Sequence, residues 1–220
     1  MKREIITTLD GSVTIHLPEI KETYHSKFGA IREAYHVFIK SGLALVKDRP
    51  VSILEIGFGT GLNAFITYLE SVKTGQEIQY TGVEAYPVAA EEVSQLNYIT
   101  ELNAQNEGMA FDAMHTSDWE KALVLNDKFT LTKRKQFFNE ITDAEAFDLI
   151  YFDAFGFHVQ PELWNVDIFL RMYNALRPNG ILVTYACRTS IKKAMTEAGF
   201  TIEKIAGPPG KREMLRAYKY

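Results

Sequence analysis

The sequence predicts an α/β fold with a mostly parallel sheet, because short apolar runs typical of strands alternate with helix-like runs along most of the chain. Three of the strand-like runs, at 51–56, 78–84 and 147–152, have the apolar and β-branched composition of strands in a parallel sheet. The last two, at 201–205 and 214–218, are too close in sequence for a helical crossover and are therefore expected to pair as an antiparallel hairpin.

The other predicted elements complete this alternation. They are a hairpin at 4–16, helices at 30–46, 62–73, 89–97, 166–176 and 189–198, strands at 129–132 and 181–185, and a turn at 177–180. Residues 98–127 show no clear periodicity. We expect residues 1–48 to form an N-terminal hairpin and helix extension packed on the core, and residues 49–220 to form the main α/β domain.

Three glycines at alternate positions, Gly57, Gly59 and Gly61, follow the first core strand and precede a helix-forming run. Glycine suits a sharp turn that lies close to a ligand, and the helix start offers unpaired N–H groups. The spacing differs from the G-x-G-x-x-G that seats a dinucleotide pyrophosphate. The acid just inside the strand end, Glu55, instead suits a ligand with a cationic amine. S-adenosylmethionine (SAM) combines an amino acid, a sulfonium and an adenosine and fits this pattern; a plain strand–helix connection is the alternative.

A second acid, Glu84, ends the next strand. In doubly wound sheets an acid at this point hydrogen-bonds ribose hydroxyls; the alternative is that Glu84 caps the helix after Pro87. Because ligands in such sheets lie at the carboxyl ends of the strands, where Asp153 also falls, we predict one shared site. The predicted SAM-binding residues from this part of the chain are Glu55, Gly57, Gly59, Gly61, Asn63 and Glu84.

The predicted architecture is that of class I SAM-dependent methyltransferases: a Rossmann-like, mostly parallel seven-stranded sheet with a C-terminal antiparallel hairpin. In this architecture the end of the fourth core strand faces the methyl donor, and Asp153 lies there. A carboxylate can orient an amino group and accept its proton, so Asp153 is the predicted catalytic residue. The alternative is an aspartate that caps the following turn. Phe155 or Phe157 is placed to stack on a base.

Composition narrows the class of protein. With 46% hydrophobic residues the chain can bury a core, and no run approaches the roughly 20 apolar residues that a membrane span needs. The N-terminus lacks the apolar stretch of a signal peptide, and the single cysteine, Cys187, suits a reducing cytoplasm. No Cys/His cluster has zinc spacing, so no metal is expected. The net charge of −4 means that any nucleic acid must bind a local patch.

A local basic patch is predicted around Lys211 and Arg212, which follow a rigid loop with paired prolines. Arg188 and the cations at 133–135 and 192–193 would extend it into a rim that positions an RNA through its phosphates. Ordinary solvated surface charge is the alternative, above all for the 133–135 run.

Several motifs together resemble one family. They are Asp10-Gly11-Ser12, Tyr24-His25-Ser26, Gly29-Ala30, Glu33-Ala34, the runs 36–39, 55–63 and 151–155, Gln160-Pro161-Glu162-Leu163-Trp164, and the run 207–214. In this combination the chain resembles, over nearly its whole length, the MnmC-like tRNA methyltransferases, in particular the stand-alone form (MnmD) without a fused FAD oxidoreductase domain.

The resemblance implies an enzyme that uses SAM to methylate the aminomethyl group of 5-aminomethyl-2-thiouridine at the tRNA wobble position, giving 5-methylaminomethyl-2-thiouridine. It implies that Tyr24 and Ser26 lie near the SAM and acceptor pocket, and that Lys211 and Arg212 lie near the tRNA entrance. It also implies a functional link to the enzymes that install the aminomethyl group. No flavin site is visible in the sequence.

Three positions depart from the family pattern. The stretch 135–138 lacks the acid that members usually carry after this strand, Gly156-Phe157 replaces Ala-Pro, and Arg188 stands where glycine is common. The alternatives that stay open are a methyltransferase for another amine, an aminopropyltransferase like spermidine synthase, and a non-catalytic module that binds SAM or tRNA.

Overall fold

A computed structural model describes residues 2–220 and contains eleven strands in two sheets. In chain order the strands are β1 (Glu4–Thr7), β2 (Val13–Leu17), β3 (Glu22–Thr23), β4 (Val51–Ile56), β5 (Ile78–Val83), β6 (Ala122–Asn126), β7 (Phe129–Arg134), β8 (Phe147–Phe152), β9 (Leu176–Thr184), β10 (Thr201–Ala206) and β11 (Glu213–Tyr218).

The α-helices are α1 (Ala30–Ala34), α2 (Leu62–Thr74), α3 (Ala90–Val93), α4 (Tyr98–Glu101), α5 (Gly108–Thr116), α6 (Val166–Ala175) and α7 (Thr189–Glu197). A π-helical segment covers Tyr35–Lys40, and short 3₁₀ segments cover Leu43–Leu45, Gln105–Glu107, Phe138–Glu140 and Pro161–Trp164. No helix within residues 2–220 has both the length and the apolar character needed to cross a membrane.

The main sheet confirms the predicted α/β class. Its strand order is β10-β11-β9-β8-β4-β5-β7-β6, and the five strands from β9 to β7 in that order run parallel to one another. Strand β11 pairs antiparallel with both β9 and β10, which is the predicted C-terminal hairpin.

The sheet has eight strands rather than the predicted seven. The additional strand is β6, which pairs antiparallel with β7 at the edge of the sheet. Strand β6 lies in the stretch 98–127, where the sequence showed no clear periodicity. An edge strand needs little buried surface, and Ala122 and Val124 of β6 are exposed. A short, half-exposed strand therefore lacks the apolar alternation from which strands are predicted.

Helices on both faces of the sheet explain why its central strands are apolar throughout. Alternate residues such as Ile53 and Tyr151 pack on one face with Phe65 of α2. Their neighbours, such as Leu54, pack on the other face with α6 and α7. The loops at the carboxyl ends of the strands are thus left as the open edge of the core, where ligands of such sheets bind.

Three predicted elements differ from the structure for local reasons. The helix expected at 89–97 is interrupted because the Asn97 side chain accepts from Val13 N at 2.9 Å and donates to Gly11 O at 2.9 Å, which binds it to the β1–β2 hairpin. The turn expected at 177–180 is instead a bulge inside β9, with Asn179 at φ 64°. The helix expected at 30–46 changes to π-helical geometry at 35–40.

The N-terminal residues form a separate three-stranded antiparallel sheet, β1-β2-β3. The predicted hairpin is therefore present, with β3 added to it through two residues that pair with the end of β2. After β3 the chain passes over the carboxyl edge of the main sheet before α1 begins, which places residues 24–28 beside the glycine turn.

Candidate active site

A cavity of about 1840 Å³ opens at the carboxyl ends of β4, β5, β8 and β9. Its wall combines the glycine turn after β4, the loops after β5 and β8, and the loop between β10 and β11. The N-terminal segment 17–28 completes the wall. The volume exceeds the roughly 300–1,000 Å³ typical of small-ligand pockets, so there is room for two groups side by side.

The glycine turn is fixed between the ends of two strands. The N–H groups of Gly57 and Phe58 both donate to the Val83 carbonyl at 3.0 Å. A Cβ on Gly57 would lie 2.7 Å from the backbone oxygen of Asp153, and Gly57 has φ 90°, so only glycine fits here. The turn therefore brings the backbone after β4 directly against the backbone after β8.

Glu84 lies at the end of β5 with both carboxylate oxygens bound to backbone N–H groups. Its Oε2 accepts from Gly59 N at 3.1 Å and its Oε1 accepts from Tyr86 N at 2.8 Å. Each oxygen keeps a further lone pair for a hydroxyl donor, and Glu84 lines the cavity. This is the position that the sequence predicts for a ribose-binding acid.

The Asn63 side chain joins the buried Glu55 carboxyl group to the half-buried Asp153 carboxyl group. Its Nδ2 donates to Glu55 Oε1 at 2.9 Å and to Asp153 Oδ2 at 2.9 Å. Burial raises the pKa of Asp153 to about 7, aided by the nearby Glu33 carboxylate and opposed by the Asn63 hydrogen bond and Lys211. Burial also raises the pKa of Glu55 well above its usual value. Asp153 is thus a carboxyl group that can take up and release a proton near neutral pH.

Two predicted ligand contacts do not fit the positions of their residues. Glu55 is completely buried below the glycine turn, behind Asn63, and is absent from the cavity wall. Gly61 is the N-cap of α2 and also lies outside the wall, with φ 73°. Glu55 therefore accepts a hydrogen bond from the Asn63 amide on the side away from the cavity. Gly61 allows the sharp turn into α2.

The N-terminal segment covers the glycine turn with aromatic side chains. The Tyr24 ring lies over Gly59, where a Cβ would be 3.2 Å from the ring, and meets Phe155 edge-on at 5.0 Å between centroids. His25 contacts Thr60 of the turn through Nε2 at 3.5 Å. Tyr24, Ser26 and Phe155 all line the cavity, and their contacts with SAM or the acceptor stay predictions.

The two predicted basic residues of the C-terminal loop have different surroundings. Arg212 is exposed at the cavity mouth. Lys211 instead turns inward: its Nζ is ion-paired with Glu33 and lies 3.9 Å from the centroid of the Tyr185 ring. The buried carboxylate of Glu33 attracts the ammonium into the cavity, and the place of Lys211 near the tRNA entrance stays a prediction.

The predicted basic run at 133–135 does not form a rim. Lys133 is 1% exposed, and its Nζ donates to the carbonyls of His115 at 3.3 Å and Ser117 at 2.9 Å. Arg134 is paired with Asp143 at 2.7 Å. Strand alternation in β7 directs Lys133 into the protein, so this part of the predicted patch serves packing.

Sequence reasoning missed three cavity residues. Glu33 could have been recognised from the sequence, because it lies on the same helical face as Ala30 and Ala34. A charged residue on that buried face indicates a polar partner or a site. Tyr86 and Phe137 form an exposed aromatic pair at the mouth, with centroids 5.9 Å apart. No spacing in the sequence indicates that pair, because its members follow different strands.

The wall fits SAM in chemical terms. Asn63 lines the cavity, and its Oδ1 has no hydrogen-bond partner within residues 2–220, so it can accept from a ligand ammonium. Glu84 suits ribose hydroxyls, and the Tyr86–Phe137 pair offers aromatic surface to a purine.

Fold and cavity together define a class I SAM-dependent methyltransferase. A family model described as S-adenosyl-L-methionine-dependent methyltransferase matches residues 110–220, and the chain belongs to this family.

Two relatives are the tRNA 5-methylaminomethyl-2-thiouridine biosynthesis bifunctional proteins MnmC of Burkholderia multivorans and Delftia acidovorans. They are 27% and 29% identical over 92% and 93% of this chain. The chain spans about a third of their length, 33% in each case.

Solved structures support the fold. MnmC2 from Aquifex aeolicus matches with a TM-score of 0.77 at 23% identity, covering 98% of this chain and 69% of that one. Spermidine synthase from Thermotoga maritima matches with a TM-score of 0.56 at 11% identity, covering 99% and 68%. Both likenesses concern architecture alone.

The raised pKa of Asp153 predicts a pH dependence of stability. The folded protein keeps this proton up to about pH 7, whereas the unfolded chain releases it near the ordinary pKa of 3.8. Between these values the folded state binds more protons, so this group makes stability fall with rising pH by up to about 1.4 kcal/mol per pH unit. We expect Asp153→Asn to remove that fall between about pH 4.5 and 6.5 in urea denaturation.

The matched control is Asp112→Asn, which neutralises an exposed aspartate on α5. It should leave the pH slope of the unfolding free energy as in the wild type. An Asp153→Asn variant with the wild-type slope would show that Asp153 ionises at its ordinary pKa.

Proposed function

We propose that this chain methylates the aminomethyl group of 5-aminomethyl-2-thiouridine at the tRNA wobble position, giving 5-methylaminomethyl-2-thiouridine. The observation that carries the proposal is the Asp153 carboxyl group, held by Asn63 in the cavity wall beside the glycine turn. The names of the MnmC relatives supply the particular nucleoside.

The donor half of the cavity is the part around the glycine turn. We assign the Gly57–Gly59 turn and Asn63 to the amino-acid part of SAM, Glu84 to its ribose, and the Tyr86–Phe137 pair to its adenine. When bound, SAM supplies a methyl group on a sulfonium, which an aligned amine displaces without further activation. The chain therefore has to align the amine, remove its proton and keep water away.

Asp153 performs the proton step in this proposal. An alkyl amine is mostly protonated at neutral pH and becomes a nucleophile only after losing a proton. Asp153 Oδ2 is occupied by Asn63, and Oδ1 has no hydrogen bond within residues 2–220, so Oδ1 is available to orient the amine and accept that proton. Its pKa near 7 matches the task. The proton then passes to solvent through the cavity mouth.

The acceptor half lies on the other side of Asp153, where Phe155 and Phe157 line the wall. Aromatic rings hold an unstacked base, and an anticodon loop presents its wobble base in single-stranded form. Four exposed cations of the wall, Lys21, Lys27, Arg188 and Arg212, surround the mouth. We assign them to the phosphates of the anticodon loop, because phosphate contacts position an RNA without reading its sequence.

The proposal extends to the cellular setting. A reaction that installs the aminomethyl group must precede this one, and cytoplasmic location follows from tRNA as substrate. Residues 1–48 act in the proposal as an extension that closes the SAM site with Tyr24. The absence of a flavin and of a metal stays a prediction.

The test of the reaction is methyl transfer to tRNA that lacks this modification. We expect labelled methyl from SAM to appear on the wobble nucleoside as one added methyl on the aminomethyl group, identified by mass. Asp153→Asn should lower kcat by about 10²- to 10⁴-fold, because the amine then keeps its proton. Its tRNA affinity should stay within about twofold, because the phosphate contacts are unchanged.

Three results would contradict the proposal in whole or in part. Wild-type protein that binds SAM and tRNA without transferring methyl would favour a non-catalytic module or another acceptor. Tighter binding of decarboxylated SAM than of SAM would favour an aminopropyltransferase. Wild-type turnover in Asp153→Asn would remove Asp153 from the proton step.

The four exposed cations at the cavity mouth predict a salt effect on tRNA binding. We expect Arg212→Ala to weaken tRNA binding at low salt and to reduce the slope of log K against log salt by about 1, since one phosphate contact is lost. Lys47→Ala, which removes an exposed cation just before β4 at the opposite edge of the sheet, is the control. Equal slopes for wild type and Arg212→Ala would place the RNA surface elsewhere.

A further inference from the structure

The Lys211 ammonium is an inward-facing charge that the proposed reaction does not yet use. The side chain comes from the β10–β11 loop and is 33% exposed. Its Nζ is ion-paired with Glu33 and lies 3.9 Å from the centroid of the Tyr185 ring. Lys211, Glu33 and Tyr185 line the same cavity as Asp153.

The surroundings of Lys211 fix its position in the cavity that Asp153 also lines. The Tyr185 hydroxyl donates to the Ala154 carbonyl at 2.8 Å, which ties the ring to the residue that follows Asp153 in the chain. Glu33 is 8% exposed, and its Oε2 accepts from Ser26 N at 2.8 Å. The Glu33 carboxylate and the Tyr185 ring, which contact the ammonium, are therefore each fixed by a hydrogen bond to the backbone. The Lys211 Nζ is in turn a fixed hydrogen-bond donor.

An ammonium has three N–H donors, and the protein satisfies one of them. That one is bound by Glu33 Oε1, and within residues 2–220 Nζ makes no other hydrogen bond. The cavity is the remaining direction for the other donors, because the Tyr185 ring covers one side. A donor held in a partly desolvated wall favours a ligand that brings an acceptor oxygen to it.

We infer that Lys211 is a specificity-determining residue that donates a hydrogen bond to the C4 carbonyl of the acceptor base. The inference rests on the proposed function, because it takes a 5-aminomethyl pyrimidine as substrate. In that base the aminomethyl group on C5 and the C4 carbonyl are neighbours, one a donor and the other an acceptor. Asp153 and Lys211 line the same cavity and offer the complementary acceptor and donor.

The consequence is selection of uracil over cytosine. Cytosine carries an amino group at C4, whose N–H groups would face the N–H donors of Lys211. A site built to bond a carbonyl rejects such an analogue because buried donors are left unpaired. The competing explanation is that the Lys211–Glu33 pair only ties the C-terminal loop to α1, which bears no relation to the base.

The experiment compares two anticodon stem-loops that differ only in the wobble base, 5-aminomethyluridine or 5-aminomethylcytidine. Methylation of the aminomethyl group is measured as kcat/KM for each, and the readout is their ratio. The variants are Lys211→Met, Glu33→Gln and Arg212→Met. Phosphate contacts and any change in the proton affinity of Asp153 affect kcat/KM equally for both stem-loops. Their effects therefore cancel in the ratio.

We expect the wild type to prefer the uridine stem-loop by about 100-fold, and Lys211→Met to reduce that ratio by about 10- to 100-fold, the value of one charge-assisted hydrogen bond. Glu33→Gln should keep the ratio within about threefold, because the glutamine oxygen can still hold Nζ. Arg212→Met should keep the ratio too. If Lys211→Met does not fold, Lys211→Gln replaces it, with an intermediate ratio expected because a neutral donor remains.

The contradicting results distinguish a failure of this inference from a failure of the proposed function. An unchanged ratio in Lys211→Met, or an equal loss in Glu33→Gln, overturns the inference while methylation of the uridine stem-loop upholds the proposed function. A wild type that methylates the two stem-loops equally also overturns the inference alone. A folded wild type that methylates neither removes the proposed function, and the inference with it.

Discussion

The bridge from the Asn63 amide to the buried Glu55 and the half-buried Asp153 carboxyl groups is the interaction on which the site depends. One nitrogen uses both of its hydrogens to hold Glu55 and Asp153, which come from neighbouring strands. The bridge fixes the start of α2 against the ends of β4 and β8, and it partly offsets the burial that raises the pKa of both acids. The position of the glycine turn and the protonation of Asp153 therefore have a common origin.

Both ends of the chain meet above this bridge. Tyr24 from the N-terminal segment lies over the glycine turn, and Glu33 of α1 pairs with Lys211 of the C-terminal loop. These contacts turn an open sheet edge into a cavity lined by a carboxylate, an ammonium and aromatic rings. Such a mixed wall suits an acceptor that carries an amine on a heteroaromatic ring.

The parts of the site that sequence analysis could predict are those tied to strand ends. The glycine turn, Glu84 and Asp153 each follow an apolar run, so their shared edge follows from the parallel sheet alone. The Glu33–Lys211 pair joins residues 178 positions apart and has no local signature. The inward turn of Glu55 was missed because the period of a strand identifies a face, and here the last residues of β4 are buried on both faces.

The most direct test of this account is the titration of the Asp153 carboxyl carbon by NMR, assigned with an Asp153→Asn variant, in the free protein and with each of two ligands. We expect a pKa of about 7 for Asp153 in the free protein. We expect a lower pKa with SAM than with S-adenosylhomocysteine, because only SAM brings a positive sulfonium beside the carboxylate. An Asp153 that titrates at its ordinary value, or identically with both ligands, would contradict a shared site for methyl donor and proton acceptor.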